Sequence, residues 1–301
     1  MTTTRVILNG KGAADAAVRE AILGVRETGR TVEVRCTWER GDATRFTERA
    51  VADGVDLLIA GGGDGTIHEV VNGLLAADAA SDIALGVMPL GTANDFARGC
   101  GIPLAPQDAL AVAVEGAPVP VDVPSANGVH FLNVASGGFG AEVTAGTPES
   151  FKRVIGSGAY ALAGVVTAAK LVPYNGDVDL PDGTESGPFL ALGIGNGRFA
   201  GGGLPVTPDA VLDDGRVDVI LVRGFEAGDL GAVLGELRDF ADPGNRFVRY
   251  HQCNRFEIRM AEPMPFNLDG ESYSWDRIDV EVRPRALRVV LPEGCPLVEG
   301  H

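Results

Sequence analysis

The chain has 301 residues, of which 45% are hydrophobic and 22% are charged, and its formal net charge at pH 7 is −16. This composition is typical of a soluble globular protein with about two domains. The negative charge argues against a general nucleic-acid-binding protein and against unaided binding to an anionic membrane. The four cysteines show no metal-ligand spacing and the N-terminus shows no signal-peptide pattern, so we expect reduced thiols in a cytoplasmic protein.

The first part of the chain alternates strand-like and helix-like patterns. We predict strands at residues 5–8, 31–36 and 55–60, and helices at residues 13–27 and 44–52. This order implies a parallel sheet with helices between its strands. Ligands of such sheets bind beyond the carboxyl ends of the strands. The segments that follow the three strands are therefore expected on one rim: Asn9, Thr37 and residues 61–66.

The third predicted strand leads into a glycine-rich turn, GGGDGT at residues 61–66. Thr66 and Glu69 have capping-box spacing ahead of apolar residues at helical spacing, so a helix is predicted to begin at Thr66. Free N–H groups at a helix N-terminus, preceded by glycines that let a ligand approach the backbone, suit a phosphate. Asp64 repels a phosphate unless a cation or a ribose hydroxyl lies between them. The turn predicts a nucleotide site with Mg²⁺; the alternative is a plain turn between strand and helix.

A second strand–turn–helix sequence follows, with its strand at residues 82–90. Its turn, PLGTANDFA at residues 89–97, places Thr92 and Asp95 at capping distance. Taken alone, the pattern is equally well a plain helix cap. Beside the first glycine turn on the same rim, it indicates a second phosphate or ribose contact.

After Pro118 the sequence consists mostly of strand-like runs separated by turn signals, which favours a β-sandwich or a barrel. Strands are predicted at residues 119–123, 129–135, 177–180, 189–195, 216–222, 246–252, 255–260, 277–282 and 286–291. A glycine loop is predicted at residues 136–140, and helices at residues 150–171 and 227–240. The apolar helix at 150–171 contains glycines and is at the short limit for a membrane span, so a buried or groove-lining position is expected.

Two acidic turns complete the set of chemical motifs. In the sequence FNLDGE, at residues 266–271, Asp269 and Glu271 flank Gly270. Its alternative interpretation is an exposed hairpin turn, for which Asp-Gly is a common signal. The stretch at residues 213–215 offers carboxylates for Mg²⁺, although a simple turn is its default interpretation.

Together these motifs resemble the bacterial diacylglycerol kinase family, and above all its YegS-type lipid kinases. The main motifs are GGGDGTIHEVVNGL at 61–74, PLGTANDFA at 89–97, ASGGFGAEVT at 135–144, GIGNGRFAGGG at 193–203, LDDGRVD at 212–218 and FNLDGE at 266–271. Three shorter stretches match the same branch: NGKG at 9–12, TWERGDA at 37–43 and LPEGCPL at 291–297. The resemblance covers nearly the whole chain. GGDGT alone is less specific, because NAD kinases and phosphofructokinases share it.

The resemblance implies an α/β plus β fold. An N-terminal parallel α/β nucleotide-binding domain, like that of NAD kinases and phosphofructokinases, is expected at residues 1–120. A C-terminal β-sandwich domain is expected at residues 121–291, and residues 292–301 are expected to return to the first domain. The active site is expected in the cleft between the two domains.

The resemblance also implies roles for single residues. ATP is expected to contact Thr37, Gly62, Gly63, Asp64, Gly65, Thr66, Ile67, His68 and Thr92. Glu271 is expected to be the general base, with Asp269 as a second catalytic residue. A structural Mg²⁺, or Ca²⁺ as the alternative ion, is expected on the Asp214 carboxylate and the backbone carbonyls of Val211 and Arg216, in a network that includes Asp122. This chain departs from many relatives in two places, since they have Asn for His68 and Ser or Thr for Val211.

The function implied by the resemblance is transfer of the γ-phosphate of ATP to a hydroxyl of a membrane lipid, phosphatidylglycerol or diacylglycerol. Residues 136–140, 150–171 and 200–203 are candidates for the lipid groove, with Lys152 and Arg153 as local cations. The expected partners are ATP and a lipid reached by transient contact with the inner face of the membrane, without nucleic acid; a homodimer stays open. Two alternatives also stay open: a soluble phosphotransferase like NAD kinase, and a non-catalytic nucleotide or lipid sensor.

Overall fold

The computed structural model describes residues 3–80, 82–141 and 172–299. The elements of the first part are β1 (Thr3–Leu8), α1 (Ala16–Glu27), β2 (Thr31–Cys36), α2 (Asp42–Ala52), β3 (Leu57–Gly62), α3 (Asp64–Ala76), β4 (Ala84–Pro89), α4 (Asp95–Gly99) and α5 (Pro106–Glu115). The second part consists of β5 (Pro118–Ala126), β6 (Val129–His130), β7 (Val134–Gly138), β8 (Tyr174–Leu180), β9 (Gly183–Gly195), β10 (Phe199–Ala200), β11 (Leu204–Pro205), β12 (Val217–Arg223), α6 (Leu230–Arg238), β13 (Val248–Cys253), β14 (Arg255–Leu268) and β15 (Glu271–Val290). Short 3-10 turns precede α1 at Gly12–Ala14 and α6 at Ala227–Asp229.

The first part contains a parallel sheet in the order β2-β1-β3-β4. Leu8 pairs with both Cys36 and Gly61, and Gly62 pairs with Pro89, so the carboxyl ends of all four strands lie at one edge. The short apolar strands β1 and β3 are buried along almost their whole length, as expected for a sheet covered on both faces. This arrangement brings the loops after the strands together.

The second part is built from antiparallel strands, with the order β13-β12-β9-β7-β14-β15. The first half of β15 pairs with β14, and its end pairs in parallel with β4 through Arg288 and Val289. One hydrogen-bonded ladder therefore runs through both parts of the molecule. The structure confirms the predicted combination of a parallel α/β unit with a β-sandwich, whereas the domain limits at residues 120 and 291 stay predictions.

The prediction of two strands at 277–282 and 286–291 was wrong, because both belong to the single strand β15. Its register against β5 shifts between Arg283 and Leu287, and Arg285 has a positive φ of 51°. Pro284 lies inside this bulge, where a residue without an N–H does not interrupt a regular ladder. The strand therefore continues past a proline that reads as a break in the sequence.

Two large cores hold the parts together. The first surrounds the parallel sheet and also contains Leu291, Cys295 and Leu297 from the end of the chain. The second lies among the antiparallel strands and contains large side chains such as Phe189 and Phe266. The backbone of Leu212 donates to the carbonyl of Leu297 at 2.7 Å, which ties the chain end to the segment before β12.

The prediction of a glycine loop at residues 136–140 was also wrong in part, because residues 134–138 form strand β7, which lies between β9 and β14. A Cβ on Gly137 would lie 2.6 Å from Cε1 of Phe266, so this glycine serves close packing between strands. The helix predicted at 150–171 lies outside the described residues. Within the parts that the structure describes, no helix has the length and hydropathy to span a membrane.

Candidate active site

The loops after β1, β2 and β3 are joined by backbone hydrogen bonds at the carboxyl edge of the parallel sheet. The N–H of Asn9 donates to the carbonyl of Gly61 at 2.7 Å, and that of Thr37 donates to Leu8 at 2.9 Å. The N–H of Leu90, after β4, donates to Gly62 at 2.9 Å. The segments predicted to share a rim therefore lie side by side.

Helix α3 begins at Asp64 with Gly63 as its N-cap, two residues before the predicted start at Thr66. The carboxylate of Glu69 does not close a capping box, because it accepts from the N–H groups of Gly41 and Ala43, at 3.2 and 3.1 Å for its Oε2. Glu69 thus fixes the N-terminus of α2. The free N–H groups of the first turn of α3 begin within the glycine turn itself, where a phosphate would meet them.

The helix cap predicted from Thr92 and Asp95 was also wrong, because the carboxylate of Asp95 bonds to distant backbone N–H groups. Helix α4 begins after Asn94, which has φ of 51°. The carboxylate of Asp95 accepts from the N–H groups of Gly202 and Gly203 at 2.8 and 2.6 Å. Asp95 therefore links this turn to the segment at 200–203, which the sequence singled out for the lipid side.

The two glycine turns are in direct backbone contact. A Cβ on Gly91 would lie 2.5 Å from the Cα of Gly63, a distance that no real Cβ contact shows. The side chain of Asn94 holds Gly91 by accepting from its N–H and donating to its carbonyl, both at 2.8 Å. Glycine at 91 is required by this close approach, and a Cβ on Gly63 would make a tight contact of 3.1 Å with the Cα of Gly91, so the two turns form one surface.

A cleft of about 710 Å³ opens above this surface, within the usual size of a small-molecule site. Its lining includes six of the residues predicted for the site: Thr37, Gly63, Gly65, Thr66, Thr92 and Glu271. Two cations, Lys11 and Arg40, line it as well. Ile67 and His68 do not line the cleft with their side chains. Ile67 is in the first core, and His68 is buried with its Nδ1 4.0 Å from Asp269 and its pKa lowered by burial.

Glu271 reaches the cleft from the turn between β14 and β15. In that turn Asp269 and Gly270 have φ of 48° and 98°, and the side chain of Asn267 accepts from the N–H of Gly270 at 3.0 Å. The carboxylate of Asp269 accepts from three consecutive N–H groups, those of residues 132, 133 and 134, at 2.6, 3.1 and 3.1 Å. These bonds anchor the turn, so Asp269 fixes the position from which Glu271 projects.

Three carboxylates, those of Asp64, Asp95 and Asp269, surround a smaller cavity of about 80 Å³. Asp64 accepts from the N–H groups of Asp95 and Phe96, both at 3.2 Å. Burial, followed by the nearby carboxylate of Asp95, raises the pKa of Asp64 to about 6. Burial also raises the pKa of Asp269 to about 6, against the opposite effect of its three N–H donors.

Asp95 was not among the predicted site residues, because the sequence showed it only as a helix cap. Within the described ranges, no group of three or more His, Cys, Asp and Glu side chains is arranged to hold a metal ion. A cation beside Asp64 would therefore need phosphate oxygens and water as its other ligands. That ligand set is the one that Mg²⁺ usually has when it binds with a nucleotide.

The predicted metal loop, with Val211, Asp214 and Arg216, lies before β12. One oxygen of Asp214 accepts from the N–H of Arg216 at 2.9 Å, which leaves the other oxygen for an ion. Burial raises the pKa of Asp214, and the neighbouring carboxylate of Asp122 adds to this rise. One carboxylate with backbone carbonyls is a set of hard oxygen donors, so the residues fit Mg²⁺ or Ca²⁺.

Hydrogen bonds connect this loop to the turn of Glu271. Asp122 accepts from the N–H of Gly215 at 2.5 Å, and its carbonyl accepts from the side chain of Asn196 at 3.1 Å. The side-chain amide of Asn196 also donates to the carbonyl of Leu132 at 2.9 Å. The N–H of Leu132 in turn donates to the carboxylate of Asp269. An ion in the loop would therefore stiffen a network that ends at the anchor of Glu271.

The fold and the cleft define a protein in which an α/β unit and a β-sandwich share one site, and comparison with known proteins identifies this class as the two-domain kinases. Residues 3–126 match the diacylglycerol kinase catalytic domain, and residues 133–291 match the YegS C-terminal NAD kinase beta sandwich-like domain. A protein from Shewanella frigidimarina described as a probable lipid kinase YegS-like is 39% identical over 297 residues, covering 98% of this chain and 96% of that protein. One from Chromohalobacter salexigens with the same description is 43% identical over 296 residues, covering 98% and 95%.

A crystal structure of a candidate diacylglycerol kinase from Bacillus anthracis superposes with a TM-score of 0.81 at 26% identity, covering 97% of this chain and 98% of that one. The chain belongs to the YegS-like lipid kinase family. The sequence-based assignment to this family and to the kinases is confirmed.

Proposed function

We propose that this protein transfers the γ-phosphate of ATP to a hydroxyl of a membrane lipid. The observation that carries the proposal is the position of Glu271: a Cβ on Gly65 would lie 3.4 Å from its Oε1. Gly65 belongs to the first turn of α3, where a phosphate would bind. A candidate base from one domain thus faces a candidate phosphate site on the other.

In this proposal the N–H groups of residues 63–65 hold the phosphates, because the N–H of Thr66 already donates to the carbonyl of Gly63 at 2.9 Å. The hydroxyls of Thr37 and Thr92 contact the nucleotide. Lys11 lines the same cleft and supplies positive charge. Phosphoryl transfer depends mainly on such positioning and on charge neutralisation. Mg²⁺ bound beside Asp64 would neutralise phosphate charge and align the transferred group.

Glu271 would accept the proton of the lipid hydroxyl as the hydroxyl oxygen attacks the γ-phosphorus, while the bond from the γ-phosphorus to the bridging oxygen breaks and ADP leaves. Asp269 would be a positioning residue, because its carboxylate is engaged by the backbone of residues 132–134. The structural ion would be held by Asp214 and by the carbonyls of Val211 and Arg216, and would keep the network behind this turn rigid.

On the acceptor side, phosphatidylglycerol and diacylglycerol are the proposed lipids, reached at the inner face of the membrane. The segment at 200–203 stays a candidate for the lipid groove. Asp95 accepts from the N–H of Gly202, and Gly201 lines the same small cavity as Asp64, so the segment lies close to the phosphate turn. Residues 136–138 belong to the paired strand β7, so they are no longer proposed as a loop that lines the lipid groove.

The proposal is tested by following radiolabelled γ-phosphate from Mg·ATP into a panel of lipids in mixed micelles. The panel contains phosphatidylglycerol, diacylglycerol, ceramide and sphingosine, with NAD as the soluble acceptor. We expect one labelled lipid. Label on NAD alone would favour a soluble phosphotransferase, and ATP binding without any labelled product would favour a sensor.

Metal binding gives a separate prediction. The raised pKa of Asp214 means that protons and cations compete for this carboxylate, so Mg²⁺ should raise the unfolding temperature most at pH 7.5 and less as the pH falls towards 5. At one hundred times the dissociation constant the gain is about 2.7 kcal/mol. Without Mg²⁺ the sign reverses. A raised pKa means that the folded state binds protons more tightly than the unfolded chain, so this carboxylate contributes more stability at the lower pH.

The measurement is thermal unfolding with Mg²⁺ or with EDTA at several pH values. Asp214→Asn should lose most of the Mg²⁺ effect, and Asp276→Asn, an exposed substitution on β15, should keep it. An equal gain in all three proteins would place the stabilising ion elsewhere.

A further inference from the structure

Across the mouth of the cleft, the guanidinium of Arg40 forms an ion pair with the carboxylate of Glu271. The two residues are 231 positions apart and belong to different domains. The side chain of Arg40 is 77% exposed, whereas that of Glu271 is 23% exposed. The pair therefore joins a side chain that is largely in solvent to the proposed catalytic base.

The backbone that carries Arg40 is firmly held. The buried carboxylate of Asp42 accepts from the N–H groups of Trp38 and Glu39 at 2.7 and 3.0 Å, and Glu69 accepts from Gly41. Two acidic side chains thus fix the loop on both sides of Arg40. Only the long side chain of Arg40 is free to change its partner, and it can do so without moving the loop.

The charges around the cleft give a reason why the side chain of Arg40 would change its partner. Its lining contains the cations Lys11 and Arg40 and three glutamates, Glu39, Glu69 and Glu271. A triphosphate entering this acidic surrounding needs positive partners, and the planar guanidinium of arginine suits phosphate oxygens. Conversely, the Oε2 of Glu271 accepts from Arg40, so this oxygen is occupied as long as the ion pair persists.

We propose that Arg40 is a nucleotide-responsive positioning residue. In the empty enzyme it holds Glu271; when ATP occupies the cleft it moves to the phosphates and leaves Glu271 free to accept the proton of the lipid hydroxyl. This proposal rests on the proposed function for the role of Glu271. Its physical core is a competition between one carboxylate and one triphosphate for the same guanidinium.

Competition of this kind is measured by ATP binding in a double-mutant cycle. Calorimetric titration with Mg·ATP is carried out on the wild type, Arg40→Gln, Glu271→Gln and the double variant. We expect Arg40→Gln to weaken binding roughly tenfold or more, the loss of a hydrogen-bonded charged partner. Glu271→Gln should tighten binding roughly threefold or more, because Arg40 is released, and this gain should disappear in the double variant.

The cycle separates release of Arg40 from plain repulsion between Glu271 and phosphate. Repulsion predicts the same gain with or without Arg40, and that result would overturn the proposal. Unchanged affinity in Arg40→Gln would do so too. Arg40→Lys should restore part of the affinity, and Arg19→Gln, an exposed arginine on α1, should leave it unchanged.

These outcomes are distinct from failure of the proposed function. The binding cycle needs no lipid and no turnover, so additive effects with normal lipid phosphorylation would reject only the role of Arg40. Coupled ATP binding without lipid phosphorylation would instead reject the lipid kinase proposal while the competition for Arg40 stands. Absence of ATP binding to the wild type would overturn both.

Discussion

Glu271→Gln is expected to lower lipid phosphorylation by roughly 10²- to 10⁴-fold, the usual contribution of a positioned general base. Glutamine keeps the size and the hydrogen-bonding shape of the side chain but cannot accept a proton at neutral pH. The turn itself should persist, because it is anchored by Asp269 and by Asn267. ATP should therefore still bind, and the loss should appear in kcat.

Initial rates with the labelled lipid and calorimetric ATP titrations measure the two effects separately. Glu262→Gln, an exposed substitution on β14, is the matched control and should keep the wild-type rate. Near-normal turnover in Glu271→Gln would show that another group, or water alone, takes the proton. Loss of ATP binding together with turnover would assign Glu271 to the nucleotide site.

Local patterns predicted much of the fold and the position of the site. The alternation of strands and helices and the glycine turns are properties of short segments, and the carboxyl-edge rule for parallel sheets brings those segments together. The side chain of Glu271 could be placed against the phosphate turn only through the resemblance, since the sequence pattern of residues 266–271 is equally that of a hairpin.

The two capping errors share one physical cause. Spacing along the chain predicted that Glu69 and Asp95 would close capping boxes, yet their carboxylates accept from backbone groups 28 and 107 residues away. Capping energies are about 1 kcal/mol, so a distant pair of N–H donors readily replaces a local one. The partner of Arg40, 231 residues away, gave no local signal at all.

Glycine has two structural roles in this chain, a turn between elements and close packing between strands, and the sequence pattern does not distinguish them. At position 63 it marks the turn between β3, which ends at Gly62, and α3, which begins at Asp64, whereas Gly137 is a strand residue whose missing side chain makes room for Phe266. Only the contact across the sheet distinguishes them. Pro284 is likewise ambiguous in the sequence: a proline suggests the end of a strand, but the pairing with β5 shows that Pro284 lies in a bulge of β15.

The contact between the two glycine turns leads to a second large effect. Gly91→Ala should lower the free energy of unfolding by about 1–3 kcal/mol, the usual cost of overpacking, because the new Cβ would meet the backbone of Gly63 rather than a movable side chain. Separation of the turns would displace residues that line the cleft, whichever of the two turns moves. We therefore expect the KM for ATP to rise together with the loss of stability.

Gly235→Ala is the matched control, since a Cβ there meets nothing within 4 Å and the residue is exposed inside α6. Alanine should stabilise that helix by about 0.5–1 kcal/mol and leave the KM unchanged. Chemical denaturation and ATP kinetics on the two variants decide the matter. If Gly91→Ala binds ATP as tightly as the wild type despite lower stability, the turns act independently, and the phosphate surface consists of the residues at 63–65 alone.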